Sequence, residues 1–261
     1  MAKRKGKCAL CGKEGKLTFE HIPPRAAFNS EPVRPVTLQA ILEGPDREPW
    51  DISGLKYINQ QQGMGVHSLC ASCNNDTGGW YGDAYRELAY RAMALAGAEI
   101  DPAYHSVEFK NVYPLRFVKQ ILSLFCSVNP EIKIDDLRKF VLNRDQYGLD
   151  KTRYKLCMYF TRSKTKRYFG FTGMGMLTGE TLLFSEITAA PFGFLLYLDP
   201  PTDYAFPGFD ITPLADSKYD DMCDIKMPLI FLEVNNWLPH DYRTKEEIVM
   251  AKEKRGGENA K

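Results

Sequence analysis

The spacing of hydrophobic residues along this chain changes twice, and each change marks a different predicted structure. Near the start, Lys16-Leu17-Thr18-Phe19 and Val66-His67-Ser68-Leu69 read as two short strands separated by a long polar segment. From Trp80 the period becomes helical. Tyr81, Ala84, Tyr85, Leu88, Ala92 and Leu95 recur on one face, Asp83, Arg86, Glu87 and Arg91 fall between them, and Gly97 ends the run. Asn74-Asn75-Asp76-Thr77 offers capping groups and Gly78-Gly79 breaks the first turn, so the long helix is expected to begin after them. After Pro102, alternating Val107, Phe109 and Val112 predict a short strand. Pro114 then opens a helix through Val118, Leu122 and Phe125 to about Ser127, closed by Pro130, and Asp135-Asp136 opens another over Leu137, Phe140 and Val141.

After about Asp150 the chain reads as strands: Leu156 to Phe160, Tyr168 to Phe171, Leu182 to Phe184, Phe192 to Leu198 and Leu229 to Val234, with turns such as Ser163-Lys164 and Thr178-Gly179. Short strands at near-regular spacing predict an antiparallel sheet packed by the middle helices, an α+β protein. The expected divisions are 1–79, a helical connector at 80–150, a β-rich domain at 151–240 and a charged tail at 241–261.

The length, 261 residues, allows one large or two modest domains. A formal charge of +1 excludes a general polyanion binder, so any nucleic-acid surface must be local. Two basic stretches qualify. Lys3, Arg4, Lys5, Lys7, Lys13, Lys16 and Arg25 face only Glu14 and Glu20 in the first 25 residues. Lys151, Arg153, Lys155, Arg162, Lys164, Lys166 and Arg167 occupy a span without acid, a candidate phosphate-facing hairpin. Asp199 to Asp224 holds seven aspartates against one lysine, a candidate for solvation or for a protein partner. The polar start Met-Ala-Lys-Arg-Lys is no signal peptide, and no apolar run is long enough to span a bilayer. A cytoplasmic, reducing location and no membrane partner are expected, and there paired cysteines mean metal more often than disulfide.

Cys8-Ala-Leu-Cys11 and Cys70-Ala-Ser-Cys73 are two such pairs. Four thiolates in two C-x2-C hooks form the usual closed tetrahedral set of a structural zinc site, and Gly12 supplies the positive-φ residue the first turn wants. Cys126, Cys157 and Cys223 lack partners at metal spacing and read as buried free thiols. Between the hooks stands Glu20-His21. A histidine beside a carboxylate can act as general base on water while oxygen ligands hold a second, hard cation, and Asn74 is a further oxygen donor or a helix cap. Pro23 and Pro24 send the chain out of His21 as an extended loop. His105 and His240, outside this group, are expected in structural or surface roles.

Cys8-x2-Cys11, Glu20-His21-Ile22-Pro23, and Leu69-Cys70-x2-Cys73-Asn74 with Gly78 four residues on resemble the HNH nuclease motif, a ββα-metal finger. The match covers roughly the first eighty residues. The resemblance implies a zinc-pinned finger, with a structural Zn2+ on Cys8, Cys11, Cys70 and Cys73, and His21 as the catalytic base. It further implies Glu20 and Asn74 as ligands of a catalytic Mg2+ or Mn2+. The activity implied is metal-dependent hydrolysis of phosphodiester bonds in nucleic acid, with DNA favoured over RNA. The family's middle Asn usually lies a few residues before the second hook; here that stretch reads Gly63-Met64-Gly65-Val66-His67-Ser68, and His67, Asn59 or neither takes its place. Arg25 is a further candidate site residue. About fifty residues separate His21 from Cys70, and the excess, roughly 28–62 with Pro32, Pro35, Pro45 and Pro49, reads as a lobe inserted over the site. The missing middle Asn favours the other reading, a zinc-stabilised module that binds nucleic acid or protein without cutting.

Overall fold

The structure is a computed structural model that describes residues 4–44, 47–99, 104–176 and 179–258; Lys3, Pro45, Pro102, Thr178 and the last three residues of the tail lie outside them. Strands β1 (Lys5–Lys7) and β2 (Glu14–His21) form an antiparallel hairpin, and β3 (Gly65–Cys70) adds to the other edge of β2. The first cysteine hook is the turn of that hairpin. Cys8 N–H donates to Lys13 O at 3.0 Å, Gly12 N–H to Cys8 O at 2.9 Å, and Gly12 takes φ +72°. Between β2 and β3 the inserted lobe holds one short helix, α1 (Leu38–Leu42), and two isolated bridges, Val33↔Gln60 and Val36↔Tyr57.

Helix α2 (Ala71–Ala96) begins at the second hook and runs 26 residues, straight through Gly78-Gly79. The expected break does not occur. Cys73, Thr77, Tyr81, Ala84, Tyr85, Leu88, Ala89 and Ala92 form one continuous buried stripe. Each helical glycine costs about 1 kcal/mol, whereas each large apolar side chain buried contributes about 1.5–3 kcal/mol, so the stripe wins. Asn74 sits inside the first turn and does not cap it; the N-cap is Cys70, without a side-chain cap bond.

β4 (Ser106–Val112), α3 (Pro114–Val128) and α4 (Asp135–Leu142) follow as the periodicity predicts. Four long strands and a short one then build an antiparallel sheet: β5 (Tyr154–Phe160), β6 (Arg167–Gly175), β7 (Thr181–Ala189), β8 (Phe192–Leu198) and β9 (Phe209–Asp210), in the order β6-β7-β8-β5-β9. Leu229 to Val234 is not a strand and touches the sheet through a single Phe231↔Phe160 bridge. The ladder lies just before it, in β10 (Cys223–Pro228), which pairs with β4 and buries alternate Ile225 and Met227. Pro228, which has no N–H to donate, closes that strand. The last described element is α5 (Lys245–Glu258). No described helix is long and apolar enough to cross a membrane.

One apolar cluster runs from Cys8, Ile22 and Leu69 through Tyr85, Phe117 and Phe125 to Leu156, Phe192 and Phe194, with α3 at its centre. A second, smaller cluster on the far face of the sheet gathers Tyr159, Phe184 and Tyr197 under Tyr204, Phe206 and Tyr242. At its margin Arg167 donates from Nε and Nη2 to the fully buried Glu186, which also accepts from the Tyr159 and Tyr242 hydroxyls and the His240 N–H. The second basic span is therefore not a free phosphate surface. Arg167 is internal, and the aspartate-rich span folds back on the rest: Lys155 pairs with Asp210 at 3.0 Å, Lys151 with Asp216, and Lys110 and Arg116 meet Asp224 and Asp220. Each exposed pair stabilises by under about 1 kcal/mol, and two of them, Lys155–Asp210 and Lys151–Asp216, join the basic span to the aspartate-rich one. Cys126 and Cys157 are buried as expected; Cys223 is exposed, because it opens an edge strand.

The inserted lobe is fastened from outside. Trp237 N–H donates to Pro49 O at 2.9 Å, Lys252 pairs with Glu48 at 2.7 Å, Lys245 Nζ stands 5.4 Å from the centre of the Trp50 ring, and Lys166 Nζ donates to Phe28 O at 3.1 Å.

Candidate metal centre and its neighbours

The hairpin turn and the N-terminus of α2 bring Cys8, Cys11, Cys70 and Cys73 together, with all four Sγ atoms within 4.8 Å of one another. Cys11 Sγ and Cys70 Sγ are 3.8 Å apart. That is the edge of a tetrahedron whose metal–sulfur bonds are about 2.3 Å. Burial pushes the Cys8 thiol up, but backbone N–H groups of Cys70, Cys11 and Leu10 outweigh it and hold the pKa at about 7; the Cys70 N–H lies 3.3 Å from Cys8 Sγ. Burial and the neighbouring sulfurs push Cys73 up, and Cys11 is raised chiefly by burial. A thiolate at Cys8 with Cys11 and Cys73 held protonated beside it is the charge pattern that a bound cation would relieve, and the four sulfurs could hold one. From outside the unit, Arg138 Nε donates to Ala9 O at 2.7 Å and fixes the first hook against α4.

β2 carries the two candidate acid–base residues side by side, and successive residues of a strand point to opposite faces. Thr18 and Glu20 lie on the face toward α2. There Asn74 donates through Nδ2 to Thr18 Oγ1 at 2.9 Å and to Phe19 O at 3.3 Å, leaving its Oδ1 free of any hydrogen bond among the described residues. Glu20 is 7% exposed and has neither hydrogen-bond nor ion-pair partner there. Burial alone raises its pKa from 4.5 to about 8. Two oxygen donors on one side of the strand, one a carboxylate that lacks a counter-charge, suit a hard divalent cation.

His21 and Phe19 occupy the other face, with ring centroids 4.9 Å apart, and His67 is paired across from Phe19 at 5.3 Å. The imidazole is lowered in pKa by burial, against a backbone hydrogen bond to Gln62 and with help from the charge of Arg25. Nε2 of the ring is buried and has no hydrogen-bond partner among the described residues. Asn74 meets β2 at Thr18 and Phe19, on the face that Glu20 shares by strand alternation, and His21 stands on the reverse at the strand's end, where the chain leaves through Ile22 and Pro23. Arg25 is exposed beside it.

Of the candidates for the middle position, Asn59 is exposed in the lobe and His67 lies in β3. The asparagine that ties the two strands' ends is Asn29, which the pattern of the chain does not reveal. It is fully buried; its Nδ2 donates to Pro23 O and Met64 O, each at 2.7 Å, and its Oδ1 accepts from Met64 N–H at 2.8 Å. Gly63, between Gln62 and Met64, lies so close that an added Cβ would come within 2.1 Å of Asn29 O. Asn29 therefore fastens Met64, just before β3, to Pro23 in the chain that leaves His21. Its partners lie six and 35 residues away, so no local spacing signals it.

Compared with known protein families, curated proteins and solved structures, the chain has no match.

Proposed function

We propose that this protein is a metal-dependent endonuclease of the HNH type, with the four cysteines holding a structural zinc. The observation that carries the reading is Glu20: a buried carboxyl with no hydrogen-bond or ion-pair partner among the described residues, on the face of β2 that Asn74 meets and one residue from the half-buried His21. Support also comes from the order of elements, two antiparallel strands leading into a helix, with the hooks at the hairpin turn and at the helix start.

In this reading Glu20 and Asn74 Oδ1 would hold a Mg2+ or Mn2+ ion, which would supply charge neutralisation at the scissile phosphate and the leaving oxygen. His21 is the base that takes a proton from the attacking water. A lowered pKa leaves the ring neutral, and so able to accept, at pH 7.

The test is nicking of supercoiled plasmid on addition of Mg2+ or Mn2+. His21→Ala should abolish it with zinc content unchanged, and Glu20→Gln and Asn74→Ala should abolish or strongly reduce it. Full activity in His21→Ala removes the base assignment. Cys70→Ser should lose zinc and melt at lower temperature; an unchanged melting temperature contradicts the structural site. The second reading, a zinc-stabilised module that binds without cutting, is favoured by the separation of His21 from the Glu20 and Asn74 side of the strand; it predicts a shifted plasmid band with no conversion.

A further inference from the structure

In the β1–β2 hairpin, Lys5 stands directly opposite Lys16. Both are exposed, and neither has an ion-pair partner among the described residues. Like charges set opposite each other in an antiparallel pair lower stability, by a few tenths of a kcal/mol to about 1 kcal/mol. The next pair along the same face, Lys7 opposite Glu14, carries the relief that this one lacks. The aspartate-rich span, which pairs with Lys151 and Lys155 of the other basic stretch, forms no ion pair with either lysine here.

We infer that the Lys5–Lys16 pair is a grip for the sugar-phosphate backbone of the nucleic acid, adjoining the Glu20–His21 site. The inference rests on the reading that nucleic acid is the substrate, and it specifies where the strand runs. Lys16, Thr18 and Glu20 share one face of β2, and four residues of strand at about 3.3 Å each put Lys16 about 13 Å from Glu20. That is about four base steps at 3.4 Å rise per strand. The paired ammonium groups take phosphates about four steps from the bond beside Glu20, and the polyanion supplies the counter-charge that the protein withholds. Lys13, exposed in the loop after the first hook, lies along the same approach.

The test measures binding without cutting. Labelled short duplexes of DNA and of RNA are titrated with the full chain carrying His21→Ala, without added divalent ion, between about 50 and 200 mM salt. Adding Lys5→Ala and Lys16→Ala should weaken binding and flatten the plot of log affinity against log salt by about 1.8, about 0.9 for each phosphate no longer neutralised. Lys16→Glu should weaken binding and raise the melting temperature, since it sets an acid opposite Lys5; a merely structural role would not move the two in opposite directions. Comparing the two duplexes identifies which nucleic acid supplies the backbone. An unchanged salt slope in the double variant, or no binding to either duplex by the His21→Ala chain, overturns the inference. Absence of nicking by the wild-type chain would count against the hydrolytic reading and leave the grip standing.

Discussion

Glu20 is where stability and chemistry pull apart. Its carboxyl is raised from 4.5 to about 8 by burial, so between those values the folded protein binds a proton that the unfolded chain has released. Stability therefore falls as pH rises through that window, by about 1.4 kcal/mol for each unit of pKa difference at the limit. Glu20→Gln should melt higher than wild type near pH 8 without added divalent ion and equally near pH 4, while losing nicking activity; a lower melting temperature at pH 8 would mean that the carboxylate has a partner. His21 has the opposite sign. Because its pKa is lowered, the acid limb of kcat/KM should have its midpoint below the ordinary imidazole value of 6.5, with activity rising as pH rises through it. A midpoint above 6.5 in a pH–rate profile would contradict that environment. Asn29→Ala leaves two carbonyls and one N–H without their partner and should cost about 3 kcal/mol or more. Asn29→Asp keeps the acceptor for the Met64 N–H but turns a second oxygen toward two carbonyls, and should slow nicking more than substrate binding. The cysteines and Glu20-His21 are legible in the sequence because their message is local spacing, whereas Asn29 speaks only to backbone groups that the fold brings to it.

Among the elements, α3 is legible almost to the residue, since Pro114 sets its first turn and its apolar face has a clean helical period. The start of α2 is not, because Gly78-Gly79 weakens propensity locally, while the stripe from Cys73 to Ala92 acts over the whole helix. The two glycines have open space where a Cβ would go. Gly78→Ala and Gly79→Ala should each add up to about 1 kcal/mol, measured by denaturant unfolding; a loss would show that the backbone there needs the freedom of glycine. β10 is hidden because its short apolar alternation is embedded among aspartates, and the charge reads as loop. Those aspartates have partners: Asp224 meets Lys110 of β4.

At the scale of the whole molecule, a single core joins the cysteine-bearing unit to the sheet, and Arg138 ties the first hook to α4. Removing the metal with a strong chelator should therefore lower one common melting transition. Two separate transitions, with the sheet keeping its original melting temperature, would show that the first eighty residues unfold alone. The α+β class and the order of helices before sheet are legible from periodicity; the pairing of the basic span with the aspartate-rich one is not, since it depends on tertiary contacts such as Lys151 with Asp216 and Lys155 with Asp210.

The lobe that borders the imidazole is held at Glu48 and Trp50 by side chains of α5, some two hundred residues further along the chain. Proteolytic trimming of that last helix would remove two of the lobe's four fastenings and leave Trp237 on Pro49 and Lys166 on Phe28. Clipped protein should then exchange its amide hydrogens around Glu48 and Trp50 faster than intact protein, and equal exchange would mean that the helix does not restrain the lobe.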